Sequence, residues 1–277
     1  MLCIYYNSPN LSDIINEVSQ VKIDSSRLAD DTIEEFIETN SDKHIYINCE
    51  DIFLFGNKES CEKLKSLKKY PNWTLQIPLK DVLKYSLTTE IDNVNFNACK
   101  DLCNTYMFTD LIGQWEILDF VLSLEPSEVY ITNILGFSLE RVKNVCHSKG
   151  VKVRAYANIA QAAVSDIEAI KKFFIRPEDL WAYNDYLDGV ELVGDKNQKT
   201  LYEIYKRGYW YGDLSEIIVG LDDSLDSRRL PQNFGTLRAV CNKRCITGSR
   251  CSVCRSMKQF AKEMEKTNSG VKPRVKE

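Results

Sequence analysis

The sequence predicts an α/β fold, a (β/α)8 TIM-barrel-like single domain, and three observations predict it. Short β-branched and aromatic runs alternate with stretches of helical period. The strand candidates run from seven to ten, with eight in the middle. Helical stretches fall where parallel crossovers are needed, and eight such units in about 220 residues suit a closed barrel. The same units could instead form an open doubly wound sheet, which is the alternative.

The expected strands in chain order are LCIYYN at 2–7, HIYINC at 44–49, WTLQIP at 73–78, EVYITN at 128–133, VKVRAYAN at 151–158, GVELVG at 189–194 and EIIVGL at 216–221. NVNF at 93–96, YMFTD at 106–110 and FFI at 173–175 are weaker candidates. Between them SLERVKNVCHSKG reads as a helix, with Ser138 placed to cap its start and Gly150 to end it. RPEDLWAYNDYLDG repeats the pattern, with Pro177 near the first turn and Gly189 beyond the last.

The 277 residues are 44% hydrophobic, enough for a sizeable core, and no long Gly/Ser linker divides them. The expected organisation is a barrel-like domain over 1–226, a four-cysteine metal-binding segment with a terminal helix over 227–266, and a flexible tail over 267–277. No apolar run approaches the ~20 residues needed to span a bilayer. MLCIYYNSPN lacks the basic flank and apolar stretch of a signal peptide. The expectation is therefore a cytoplasmic protein without membrane contact.

Ten cysteines in a reducing compartment point to buried small side chains plus metal or reactive thiols. Cys3, Cys49, Cys61 and Cys146 sit singly in apolar patterns, as packing residues do. CNKRCITGSRCSVC differs, because Cys241, Cys245, Cys251 and Cys254 follow the spacing C-x3-C-x5-C-x2-C. Four thiolates on so short a loop can surround one ion tetrahedrally, so the expected cofactor is a zinc ion or an iron–sulfur cluster.

Charge is segregated along the chain. Residues 1–227 carry 23 Lys/Arg against 37 Asp/Glu, and residues 228–277 carry 13 against 3. Arg228, Arg229, Arg238, Lys243, Arg244, Arg250 and Arg255 surround the cysteines. They can offset the negative thiolates or bind phosphates, which makes a nucleic acid or a protein partner the expected ligand of this end.

In a barrel, chemistry gathers at the carboxyl ends of the strands. Arg154 and Glu191 are charges inside strand patterns. If Val153, Ala155 and Ala157 meet the helices, Arg154, Tyr156 and Asn158 point into the lumen, and Glu191 does the same between Val190 and Leu192. Both residues are candidate catalytic groups, and equally a structural ion pair. Hydrolase signatures are lacking: there is no G-x-S-x-G, P-loop or G-x-G-x-x-G, and the only histidines, His44 and His147, occupy positions that suit exposed residues.

The run YITNILGFSLERVKNVCHSKGVKVRAYANIAQ, then FFIRPEDL and DSRRLPQNFGTLRAVCNKRC, resembles a family of uncharacterised proteins of tailed phages, over roughly residues 106–256. The order strand, helix, basic strand ending in Asn, then FIRP resembles more distantly the U32 peptidase-like family. That resemblance implies a barrel domain, an iron–sulfur cluster on Cys241, Cys245, Cys251 and Cys254, Arg176 as a third catalytic candidate, and activity in hydroxylating RNA or ubiquinone precursors. The cysteines here are consecutive, whereas that family spreads its own more widely. Two functions follow as expectations: a metal-containing, nucleic-acid-modifying barrel enzyme, or a non-catalytic phage protein docking through its basic end onto a polymerase, a virion component or nucleic acid. Base-exchanging transglycosylases are a third comparison, but their CxCxxC is absent.

Overall fold

The computed structural model describes residues 2–6, 11–29, 32–48, 58–78, 102–111, 115–131, 139–160, 174–194, 197–221, 224–230 and 232–239. Within them eight parallel strands close into a barrel in sequence order. These are β1 (Leu2–Tyr5), β2 (Gln20–Asp24), β3 (His44–Asn48), β4 (Trp73–Pro78), β5 (Tyr106–Leu111), β6 (Glu128–Ile131), β7 (Lys152–Tyr156) and β8 (Gly189–Glu191). Closure is made by β8 on β1, with Leu2 opposite Val190 and Cys3 opposite Glu191. A closed ring has no edge, so the open doubly wound alternative is excluded.

Strand parity explains why the ring is stable. Val21 and Ile23, Ile45 and Ile47, Leu75 and Ile77, Val129 and Ile131, and Val153 and Ala155 are buried in the outer layer between sheet and helices. Each large aliphatic side chain withdrawn from water there contributes about 1.5–3 kcal/mol. The helices supplying the other half of that layer include α1 (Ser12–Ile15), α2 (Ile33–Thr39), α3 (Lys58–Leu67), α4 (Trp115–Ser123), α5 (Leu139–Ser148), α6 (Gln198–Arg207) and α7 (Phe234–Ala239). In α5, Leu139, Val142 and Cys146 form the buried stripe.

Six of the seven principal strand runs become strands, and YMFTD becomes β5. The eighth, QVKID, was not among the expected strands, although Val21 and Ile23 alternate with Gln20, Lys22 and Asp24. EIIVGL does not add a strand. It contributes to a 3-10 turn over Leu214–Glu216 and continues as irregular chain touching the barrel through one bridge, Ile159 to Val219. Its buried residues Ile217, Ile218 and Leu221, with Leu214 just before it, have helical spacing rather than period two, and the closed ring has no edge to take it. Of FFI, Phe174 and Ile175 are likewise buried outside the sheet, and Phe173 lies outside the described residues. RPEDLWAY forms a 3-10 helix over Pro177–Tyr183 with proline in its first turn. NVNF lies outside the described residues.

Leu230, Phe234 and Ala239 are buried in the same outer core as the barrel, and Phe234 stacks on Phe174 at 5.6 Å. Residues 240–277, which hold the four cysteines, the terminal helix of the sequence reading and the tail, lie outside the described residues. No described helix is long and apolar enough to cross a membrane.

Candidate functional site

The inward parity of the strands is polar, where many barrels stack branched aliphatics. Arg154 and Glu191 both face the lumen, each 1% exposed. They do not form the direct pair that their sequence positions allow. The Arg154 Nε donates to the Tyr130 hydroxyl at 3.2 Å, and that hydroxyl donates to Glu191 Oε2 at 2.6 Å, so one phenol links the two charges.

Around Arg154 the lumen is fully engaged. Nη1 donates to the Tyr46 hydroxyl at 2.9 Å and Nη2 to Gln20 Oε1 at 2.6 Å. Glu128 is the carboxylate partner at 3.5 Å and accepts from Tyr46 at 3.0 Å. The guanidinium also lies 4.9 Å from the Tyr46 ring centroid and 5.6 Å from that of Tyr130. Its passage depends on Gly189, where an added Cβ would meet the guanidinium carbon at 2.8 Å. Gln20, Glu128 and Gly189 each begin their strands, so this cluster belongs to the amino end of the barrel. That end reads as stabilising rather than catalytic.

Around Glu191 the arrangement differs. Glu191 and Tyr156 end their strands, toward the carboxyl end. The Lys22 ammonium donates to Glu191 Oε1 at 2.8 Å and its side chain retains 13% exposure. Gln76 Nε2 approaches Glu191 Oε2 at 3.5 Å, while Gln76 Oε1, on a residue 0% exposed, finds no donor among the described residues. Tyr156 stacks on Tyr130 at 4.9 Å, and Ile159 and Val193 pack against the same lumen cluster. Nearby, Tyr5 donates to Asp24 at 3.3 Å, with Lys22 at 6.0 Å from the Tyr5 ring centroid.

Burial sets the electrostatics. It raises the Cys3 thiol far above its ordinary value, with Glu191 adding to the effect, so Cys3 stays a neutral packing group. Burial likewise raises the Tyr130 and Tyr46 phenols, which remain protonated donors against the carboxylates despite the pull of Arg154. His44 is half-buried rather than exposed, bonded to Thr74 at 2.8 Å, and burial lowers its pKa. Chemically, the site offers a carboxylate held by a cation and a phenol, with an uncommitted amide acceptor beside it.

Arg176 lies elsewhere. It begins the 3-10 helix over Pro177–Tyr183, donates from Nη2 to Asp179 at 2.9 Å and from Nη1 to the Ser227 carbonyl at 3.4 Å, and sits 5.2 Å from the Phe234 ring centroid. It ties that helix to α7. Arg228 is exposed and bonded to Asp226 at 2.6 Å. The backbones of Arg229 and Arg238 lie in the 3-10 turn Ser227–Arg229 and in α7. Cys241, Cys245, Cys251, Cys254, Lys243, Arg244, Arg250 and Arg255 lie outside the described residues. Among the described residues no group of three or more His, Cys, Asp or Glu is disposed to hold a metal.

Lys22, Gln76 and Tyr130 were missed from the sequence. Their signal was present, since QVKID, WTLQIP and EVYI each place polar or phenolic residues on one parity and aliphatics on the other. No protein-family model matches the chain, and no curated protein is significantly similar to it.

Proposed function

We propose that the protein is a barrel enzyme acting on nucleic acid, with its reacting groups at the carboxyl end of the lumen and a four-cysteine metal centre near its C-terminus. The observation that carries the enzymatic reading is the setting of Glu191: a buried carboxylate held by Lys22 and Tyr130, beside the unpartnered Gln76 carbonyl. Glu191 is the proton acceptor in this reading. Lys22 holds one of its carboxylate oxygens and is the partly exposed group of the cluster, and Gln76 orients the substrate through a hydrogen bond from it. Tyr130 positions Glu191. In this reading Arg154 serves the fold and Arg176 takes no part in the chemistry.

The nucleic-acid element rests on charge. Residues 228–277 concentrate a net +10 (13 minus 3) against −14 (23 minus 37) on the remainder, so phosphates are drawn to one end and repelled by the rest. The spacing of Cys241, Cys245, Cys251 and Cys254 supports zinc or an iron–sulfur cluster, which would hold that end together. Elemental analysis and visible absorbance of anaerobically purified protein separate the two, since only the cluster brings iron, sulfide and a broad band near ~400 nm.

The test of the function is a comparison of nucleosides. RNA and DNA from cells expressing the wild type or Glu191→Gln are digested and profiled by mass spectrometry. One or more nucleosides altered by the wild type alone supports the proposal; identical profiles overturn it. The same charge segregation favours a second reading, a non-catalytic protein that docks through its basic end. That reading gains if the profiles are identical while polyanion binding persists.

A further inference from the structure

We propose that Tyr209 and Tyr211 form a stacking platform for the bases of single-stranded nucleic acid, outside the lumen; the proposal rests on the nucleic-acid reading above. KRGYWYGD, 206–213, turns the chain out of α6. Tyr211 keeps 67% of its surface exposed and Tyr209 39%, yet the rings stack on each other at 5.1 Å with 28° between their planes. The Arg207 guanidinium lies 4.4 Å from the Tyr209 ring centroid, and its Nη2 donates to the Tyr209 carbonyl at 3.5 Å. Large aromatic rings stabilise a fold through burial, so two rings ordered in water contribute little to this one.

The base of the platform is rigid. Gly208 caps α6 with φ 79°, in the left-handed region. Trp210 Nε1 donates to the Asp213 carbonyl at 3.1 Å. The Asp213 carboxylate accepts from the Ser215 N–H at 2.9 Å and the Leu225 N–H at 3.0 Å, and from the Ser224 hydroxyl. Rings held this way lose little further freedom when a ligand stacks on them.

Chain continuity and charge identify the occupant. The Ser227 N–H donates to the Gly212 carbonyl at 3.0 Å, and Asp213 bridges to Asp226. The chain therefore enters its basic segment at Arg228 while bonded to the aromatic loop, and residues 228–277 carry 13 Lys/Arg against 3 Asp/Glu. A ligand suited to an aromatic face backed by Arg207 and joined through the chain to a basic segment carries planar rings on a phosphate chain. Unpaired bases present their faces to aromatic side chains, whereas paired bases spend theirs on each other. Arg207 adds a cation–π contact to the same stack.

The experiment is fluorescence anisotropy of the full chain with a labelled oligodeoxythymidine of about twenty nucleotides, and with an abasic strand of equal length. The expected result is binding about tenfold or more weaker when Tyr209 and Tyr211 are both changed to Ala, with the salt dependence unchanged. The abasic strand should bind wild type and double variant alike. Tyr211→Trp should keep the affinity. Arg228→Glu with Arg250→Glu should instead flatten the salt dependence. Equal binding of oligodeoxythymidine by wild type and double variant overturns the platform and leaves the nucleic-acid reading standing. A parallel loss for the abasic strand overturns stacking as the cause. Failure of the wild type to bind any strand overturns the nucleic-acid reading and the platform with it.

Discussion

At the amino end of the lumen Arg154, Glu128, Tyr46 and Gln20 satisfy one another, whereas at the carboxyl end Gln76, beside Glu191 and Lys22, keeps an unused acceptor. The two clusters use the same chemistry: one cation, one carboxylate, one phenol and one amide each. Saturation separates them. A closed, saturated cluster serves the fold, while one with an unfilled hydrogen-bond position has a place for a ligand. Tyr130 stands between them and transmits the geometry of one to the other.

The largest expected effect tests the closed cluster. Arg154→Met leaves buried Glu128 with the exposed Lys152, at 3.8 Å, as its remaining salt-bridge partner among the described residues, and should cost about 3 kcal/mol by urea unfolding. Glu191→Gln leaves Lys22 able to turn toward water and should cost about 1–2 kcal/mol, with the nucleoside change lost. Equal costs at the two ends would remove the distinction.

Gly189→Ala sharpens the comparison by crowding Arg154 directly. An added methyl 2.8 Å from the guanidinium carbon should cost about 1–3 kcal/mol. In the Arg154→Met background most of that penalty should vanish, because the atoms in its way are gone. A penalty unchanged in that background would place the crowding elsewhere.

The smallest effect concerns acid. Asp188 lies between β7 and β8 and accepts from His147 at 2.8 Å and from the Val153 N–H at 2.7 Å. Burial pulls its pKa up, but these bonds outweigh burial and hold it below the ordinary carboxylate value. The folded pKa is depressed, so its stabilisation is present above the unfolded pKa and is lost as pH falls through the folded one. Asp188→Asn should flatten the stability profile below about pH 4 and leave the difference between the two lumen ends untouched. An unchanged acid slope would exclude Asp188 as a contributor.

Much of the barrel was legible in the sequence because its signals are local. β-Branched runs such as HIYIN and WTLQIP carry their own periodicity, and Gly150 and Gly208 end helices by backbone geometry alone. Where local pattern and position in the ring disagreed, the ring won. QVKID, with only two aliphatic residues, is taken into the ring as β2, while the more aliphatic EIIVGL is left outside.

For the site, the sequence determined by itself that Arg154 and Glu191 share the inward parity, since successive side chains in a strand point to opposite faces. It also determined the charge segregation and the cysteine spacing. Only the tertiary structure decided which groups meet: Lys22 rather than Arg154 holds Glu191, Glu128 holds Arg154, and Arg176 is drawn away to Asp179. Closing eight strands brings together residues far apart in the chain, such as Lys22 and Glu191, 169 positions apart. Local periodicity specifies a face, but only ring closure and register specify a neighbour across the lumen.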